Sequence, residues 1–547
     1  MENPEKKAGG PRFQETPIAE DGIWGPLNAV SGKSGPMVSV LLPTFNRPKY
    51  FSAALASVLH QSYRNLEVVA VNDGGEDVSD VVKSYSDPRV IFINRKENRG
   101  KAFSLNEALA RARGKYVAYI DDDDLYYPHH IETLVDALEN RTDCRVAYSD
   151  LYKTYCRVMP DDSRAVLGKV VEVSRDFDRF LILYFNNVLH VSLMHRRDLI
   201  EKTGPYNEQL TVLIDWDITR RLAFFSDFHH ICEITGEFYS PVGQSDRISV
   251  RQRRDKKEYL RNALTIRTTR PPKPWSKIED MSIIFNTEHL DKKAGKMIGS
   301  IWRYTFYPYK LYLPLSPTDC RRLRTDVPNT VLVPVSAPAS EAQRIDAALA
   351  RCEGEYVTIV PGGFEAGEIW VEDCLHALIN GSLTGEGFEL ERSTDRLWAA
   401  VLRRNDLQHA RNNFPNLSVR ESIKASGIKL RRLRPDQILF QFDQLLAEAK
   451  GTEKDGDCAK AAEIFEYIAG NYRNQLWMKA LAADAFFKAG NHARAAELSR
   501  QVNQQRPTVD TLLLEAKLER DKKNFNSAIE LLERAEQILE GRELVWT

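Results

Sequence analysis

A chain of 547 residues is long enough for about three or four domains, and a hydrophobic content of 43% excludes a disordered composition. The formal net charge of −1 excludes any global drive toward nucleic acid. Seven cysteines, at 144, 156, 232, 320, 352, 374 and 458, form no Cys-x-x-Cys pair and are odd in number. That pattern fits reduced thiols in a cytoplasmic protein better than a disulfide or zinc framework.

No apolar run reaches the roughly 18 residues of a transmembrane helix. Residues 1–36 are polar, rich in Pro and Gly, and lack the apolar core of a signal peptide, so a mostly disordered leader is expected, with "IWGPLNAV" as a docking segment. From residue 37 strand and helix signals alternate. "MVSVLLPT", "LEVVAVNDGG", "RVIFINR" and "KYVAYI" read as strands. "PKYFSAALASVLHQSY", "VSDVVKSYS" and "KAFSLNEALARARG" read as helices, the last closed by Gly114 as a C-cap. The alternation predicts an α/β domain with a parallel sheet and helices on its faces.

Ligands of such sheets sit beyond the carboxyl ends of the strands. The polar residues gather there: Pro43-Thr44-Phe45-Asn46-Arg47, Asn72-Asp73-Gly74-Gly75 and the run Asp121–Asp124. Four adjacent carboxylates repel one another and are costly to bury. A solvated acidic turn before the helix "PHHIETLVDAL" would hold them, and so would a cation site. If the chain stays extended, Asp121 and Asp123 share one face. His129 and His130 read as ordinary polar residues near a helix start.

"VSVLLPTFNRPKYFSAALASVLHQSYRNLEVVAVNDGG", "ENRGKAFSLNEALARARGKYVAYIDDDD" and the later "LIDWDITRRLA" together resemble a family 2 glycosyltransferase of the GT-A (nucleotide-diphospho-sugar transferase, Rossmann-like) fold, over residues 37–250. The resemblance implies a nucleotide-sugar donor, with UDP as the usual nucleotide, and a divalent cation, Mn²⁺ or Mg²⁺. It places Pro43, Thr44, Asn46 and Arg47 along the nucleotide pocket and Asp73 against the base. It brings Asn98, Arg99 and Gly100 close to the donor. Asp121 and Asp123 match the DxD motif as metal-holding residues, with Asp122 between them in the donor site. Oxygen ligands and a hard cation suit a diphosphate leaving group. In "DWDITRRLAFF" the resemblance makes Asp215 the base that takes the acceptor proton in an inverting displacement. Ile214 stands where the family has Glu, so Asp217 is the fallback base, and a helix N-cap is the plain alternative for Asp215. Arg247 and Arg251 fall where the family folds a segment over the donor diphosphate. Residues 251–275 hold nine Lys or Arg against two Asp or Glu, and 251–278 is expected as a solvated basic linker or an anionic-partner face.

An internal repeat follows. "LNEALARARGKYVAYIDDDDLYYPHHIETLVDAL" at 105–138 aligns without a gap on "IDAALARCEGEYVTIVPGGFEAGEIWVEDCLHAL" at 345–378, with ten identical positions at an offset of 240. Residues 279–434 are therefore expected to be a second, degenerate GT-A-like α/β domain. Pro361, Gly362, Gly363 and Phe364 replace the aspartates, Ser316 falls near the place of Asp73, and no Asp-Trp-Asp motif follows. From residue 435 the chain turns helical. "GDCAKAAEIF", "GNHARAAELS" and "KNFNSAIELL" recur at spacings of 34 and 33, resembling tetratricopeptide (TPR) repeats over 435–547. Such a tail binds a protein partner or serves as a helical cap.

The sequence thus describes a cytoplasmic, inverting, metal-dependent transferase, with peripheral contact to the inner membrane open. Its acceptor would be a surface glycan, a lipid-linked glycan or a protein. Three rivals remain: a non-catalytic scaffold, a sugar nucleotidyltransferase, whose Gly-rich loop is replaced here by "PTFNRPKY", and retaining transfer, disfavoured by the resemblance of the Asp-Trp-Asp helix to the inverting type.

Overall fold

The computed structural model describes residues 35–540 except 172–173, 244–255, 323–328, 382–384, 391–396 and 435–436. Most of the expected leader, together with Arg247 and Arg251, lies outside the described residues.

Strands β1 (Val38–Thr44), β2 (Leu66–Asn72), β3 (Val90–Asn94) and β4 (Tyr116–Tyr119) run parallel in the order β3-β2-β1-β4. Every residue of β2 is buried, which requires cover on both faces of the sheet. Side chains of β1 alternate accordingly. Val38, Val40 and Leu42 pack with Phe51 and Leu55 of the Pro48–Leu59 helix, and Leu41 packs with Ala102 and Leu105 of the Lys101–Arg111 helix. Because these strands point the same way, their carboxyl ends share one edge, and the polar loops after Thr44, Asn72 and Tyr119 meet there.

The sheet continues beyond β4 through β8 (Leu193–Arg196), β6 (Val146–Val158), β9 (Phe228–Pro241) and β5 (Asp124–Tyr126), with β7 (Arg164–Val171) paired to β6. The strand β5 starts at the last aspartate of the run and pairs with β9, Asp124 opposite Phe238. Gly114 is not the C-cap expected of it: the helix ends at Arg111 and Ala112 caps it. The reason for a glycine is crowding, since a Cβ at 114 would lie 2.6 Å from the Ser39 nitrogen.

A second sheet has strands β10 (Met281–Asn286), β11 (Tyr309–Leu315), β12 (Thr330–Pro334), β13 (Tyr356–Pro361), β14 (Glu386–Glu389), β15 (Ala400–Arg403) and β16 (Lys429–Arg431). Its order, β12-β11-β10-β13-β15-β14-β16, repeats the β3-β2-β1-β4-β8-β6 succession of the first sheet. The two sheets share one apolar core, in which Phe180, Leu222 and Ile266 join Phe285, Phe306 and Leu375. The stretch expected as a solvated linker contains the Lys256–Thr268 helix, with Ala263 and Ile266 buried in that core. Its basic residues are compatible with docking because Ala263 and Ile266, three residues apart, share one face, while Tyr259 and Leu260 stay exposed.

Arg220 locks this junction. It is fully buried and donates to the carbonyl oxygens of Thr269 (2.6 Å), Arg267 (2.7 Å), Leu183 (3.3 Å) and Phe306 (3.3 Å).

Among its described residues the tail comprises six helices, from Gln441–Lys454 to Phe525–Glu540. It lies against the first sheet. Asp150 bridges His230 (2.9 Å) and Arg506 (2.5 Å), Lys169 donates to the Ile538 carbonyl (3.3 Å), and Tyr127 and Tyr152 pack among Val509, Leu512, Leu531 and Ile538.

Replacing Arg220 by Met leaves buried carbonyls without donors, so the first unfolding transition in urea should lose about 3 kcal/mol. A loss under about 0.5 kcal/mol would show that the junction does not depend on Arg220.

Candidate active site

The aspartate run does not stay extended. β4 ends at Tyr119, residues 122 and 123 form a turn, and the Asp124 N–H donates to the Asp121 carbonyl at 3.2 Å. It is not a solvated turn either: Asp122, Asp123 and Asp124 are 7%, 8% and 3% exposed. The turn separates the carboxylates by role. Asp122 points at the loop after β1 and accepts from Thr44 Oγ1 (2.8 Å), the Phe45 N–H (3.3 Å) and Arg47 Nη1 (3.3 Å). Burial, with the neighbouring Asp123 charge, pushes the Asp122 carboxyl up to about 6. Asp121, Asp123 and Asp124 instead bring oxygens within 4.8 Å of one another. Asp124 also accepts the Tyr239 N–H of β9 at 3.1 Å. Two cations flank the cluster, Lys101 Nζ at 2.5 Å from Asp121 and Arg47 Nη1 at 2.9 Å from Asp123.

The neighbouring loops are tied to each other. Asn46, with φ 57°, accepts the Glu76 N–H at 2.8 Å and so joins the β1 loop to the β2 loop. Pro43 sits one residue inside the end of β1, in register with Val71. Asp73 accepts the N–H groups of Arg99 (2.8 Å) and Gly100 (2.9 Å) and pairs with Arg95. Its carboxylate therefore holds the Asn98–Gly100 turn, and a base contact would have to share those oxygens. Gly74 has no alternative, since at φ +71° its Cβ would lie 2.3 Å from the Glu97 backbone. Asn98 Oδ1 also accepts from the Gly100 N–H (3.1 Å), and the Arg99 guanidinium lies over the Phe103 ring at 3.4 Å.

Asp215 reaches the same edge from the Ile214–Leu222 helix. It is the second residue of that helix, whose N-cap is Leu213, so it is not the N-cap considered for it. Asn186 Nδ2 donates to its carboxylate at 2.8 Å. Burial raises the Asp215 pKa, and the Lys101 ammonium works against that shift. Asp217 lies about 200° further round the helix. It is buried, and Arg221 grips it with bonds of 2.6 and 3.1 Å. That pairing gives Asp217 a structural role and separates it from Asp215. His130 stacks on Tyr126 and meets Thr235 Oγ1 at 2.6 Å, away from any ligand cluster among the described residues.

Three contributors were not visible in the sequence. Lys101 is electrostatically linked to Asp121, Asp123 and Asp215; its place directly after Asn98-Arg99-Gly100 was the available signal. Asn186 lies in an irregular stretch with no periodicity. Arg164 comes from the β6–β7 hairpin, donates to the Asp123 carbonyl at 2.8 Å, and stacks on Tyr50 (3.7 Å) and Tyr239 (4.3 Å).

The second sheet offers no such cluster among its described residues. Gly362 stands in the turn after β13, and a Cβ there would lie 2.8 Å from Thr287 Oγ1. Ser316 follows β11 as Asp73 follows β2, and accepts the Asp319 N–H at 3.1 Å.

Residues 39–198 match the Glycosyl transferase family 2 model. This part of the chain is a family 2 glycosyltransferase domain. An uncharacterized glycosyltransferase of Rickettsia prowazekii is 30% identical over 194 residues, 34% of this chain and 57% of that protein. One of Methanocaldococcus jannaschii is 29% identical over 189 residues, 33% of this chain and 63% of that protein. The chain thus spans about half to two thirds of the length of these curated relatives. The mannosyltransferase PcManGT of Pyrobaculum calidifontis, solved with GDP-Man and Mn²⁺, aligns at 22% identity with a TM-score of 0.34, over 43% of this chain and 66% of that one.

The two helix aspartates should separate by stability. Asp217→Asn strips a buried arginine of its charge partner and should cost about 3 kcal/mol in chemical denaturation. Asp215→Asn removes a half-buried charge and should leave stability within about 0.5 kcal/mol of wild type. Equal losses would contradict the division of roles.

Proposed function

We propose that this domain transfers a sugar from a nucleotide-sugar donor, with UDP as the nucleotide, to an acceptor hydroxyl with inversion. The observation that carries the reading is the convergence of the Asp121, Asp123 and Asp124 oxygens, with Asp215 near enough to feel the charges of Asp121 and Lys101.

The three carboxylates form an all-oxygen donor set, which suits a hard divalent cation, Mn²⁺ or Mg²⁺. Asp121 and Asp123 would hold it, with Asp124 as a third ligand, and it would neutralise charge on the leaving diphosphate. Pro43, Thr44, Asn46 and Arg47 shape one wall of the donor pocket, with Asp122 fixing that loop from behind. Asp73 positions the opposite wall, Asn98, Arg99 and Gly100. Asp215 takes the acceptor proton as the hydroxyl oxygen bonds the anomeric carbon and the bond from that carbon to the diphosphate oxygen breaks. A single displacement inverts the anomeric centre. Asn186 holds the Asp215 carboxylate in one orientation while its other oxygen works.

We assign the second sheet, residues 279–434, to a degenerate copy without catalysis, since Pro361, Gly362, Gly363 and Phe364 replace the aspartates and Thr287 crowds the turn. The TPR-like tail is assigned to holding the first domain and recruiting a protein partner. A surface glycan, lipid-linked glycan or protein is the acceptor class. The odd number of cysteines and the lack of a Cys-x-x-Cys pair support a reducing, cytoplasmic setting. No helix among the described residues is long and apolar enough to cross a membrane.

Thermal shift and donor hydrolysis with a panel of nucleotide sugars, with and without Mn²⁺, test the reading. One donor should stabilise wild type in a metal-dependent way, and Asp123→Asn should abolish the effect. No response to any donor would favour a scaffold.

With that donor, Asp215→Asn should lower kcat by about 10²–10⁴-fold. The base works only when ionised, and burial raises its pKa. Activity should therefore fall as pH drops through a value above that of an ordinary aspartate. Unchanged turnover in Asp215→Asn would remove it as the base.

A further inference from the structure

Lys101 opens the Lys101–Arg111 helix, whose first turn carries no acidic residue. A cation there opposes the helix dipole, which favours negative charge at that end. The position is nonetheless rigidly defined. Gly100, at φ 91°, turns the chain into the helix, and Asp73 holds the Arg99 and Gly100 N–H groups at 2.8 and 2.9 Å. The ammonium is thereby delivered to Asp121 Oδ1 at 2.5 Å, each side chain about one-third exposed. Its charge is also felt by Asp215 and Asp123.

The ion pair creates a competition. A divalent cation approaching the Asp121–Asp123–Asp124 oxygens meets a ligand already engaged by a positive group, and like charges at that range repel. A diphosphate arriving with the cation offers the ammonium new oxygens. Resting on the cation-dependent reading above, we propose that Lys101 is a displaceable counter-cation of Asp121. It neutralises the cluster before the cation binds, competes with the cation for Asp121, and passes to the donor diphosphate. Cation and nucleotide then bind with positive coupling, and linkage makes that coupling reciprocal.

Mn²⁺ binding to the full chain, followed by electron paramagnetic resonance of free Mn²⁺ with and without UDP, tests the role; GDP serves as a second nucleotide probe. The proteins are wild type, Lys101→Met, Lys101→Gln and Lys101→Arg. Without nucleotide, Lys101→Met and Lys101→Gln should bind Mn²⁺ about fivefold tighter than wild type, the scale of a partly exposed ion pair. Added nucleotide should tighten Mn²⁺ binding less in those two variants than in wild type. Lys101→Arg should behave as wild type. A purely structural role would weaken Mn²⁺ binding, not strengthen it. Equal or weaker Mn²⁺ binding in both neutral variants, with wild type binding normally, overturns the counter-cation role alone. Absence of Mn²⁺ binding by wild type, with or without nucleotide, overturns the cation-dependent reading as well.

Discussion

Carboxylate crowding at the end of β4 is the constraint around which the first domain is arranged. Two unit charges about 4 Å apart interact by about 4 kcal/mol near a protein surface. Several uncompensated pairs would consume most of a domain's stability of about 5–15 kcal/mol. The chain answers with different partners for each acid. Thr44 and the Phe45 N–H take Asp122, Arg47 takes Asp122 and Asp123, Lys101 takes Asp121, and the β9 backbone takes Asp124. Those partners come from three separate segments, so the cluster fixes the mutual positions of the loops that surround it.

The support extends outward by polar contacts. Tyr239, whose N–H holds Asp124, donates its hydroxyl to Glu237 at 2.9 Å, and Glu237 pairs with Lys169 at 2.8 Å in the interior. Lys169 in turn reaches the carbonyl of Ile538 in the last tail helix. A buried ion pair of this kind is weak as a source of stability, but removing one partner is costly. The tail therefore packs against strands that also carry the aspartate turn. The second sheet is joined as firmly, through the shared apolar core and Arg220.

Some of this was legible in the residues. The alternating strands and helices, the three polar loops at strand ends, the repeat at an offset of 240 and the helical tail all depend on local periodicity or on fixed spacing. Other features depend on what passes nearby in space. Gly114 looked like a helix cap, yet the backbone of β1 is what forbids a side chain there. The aspartates looked like strand residues, yet a turn divides them into one that holds a loop and three that converge. Asp215 was the expected base and Asp217 the fallback, and only the fold pairs Asp217 with Arg221 and Asp215 with Asn186. The basic run after residue 250 gave no hint that Ala263 and Ile266 would be buried.

By itself the sequence determined the element order, the doubled sheet plan and the clustering of acids at a strand end, because periodicity and motif spacing are local properties. Tertiary structure alone decided which aspartate is structural, which lysine sits between the acids, and which helix joins the two sheets. Those outcomes turn on contacts between residues far apart in the chain, such as Asp122 with Thr44, Lys101 with Asp121 and Arg220 with Phe306, and no local pattern encodes them.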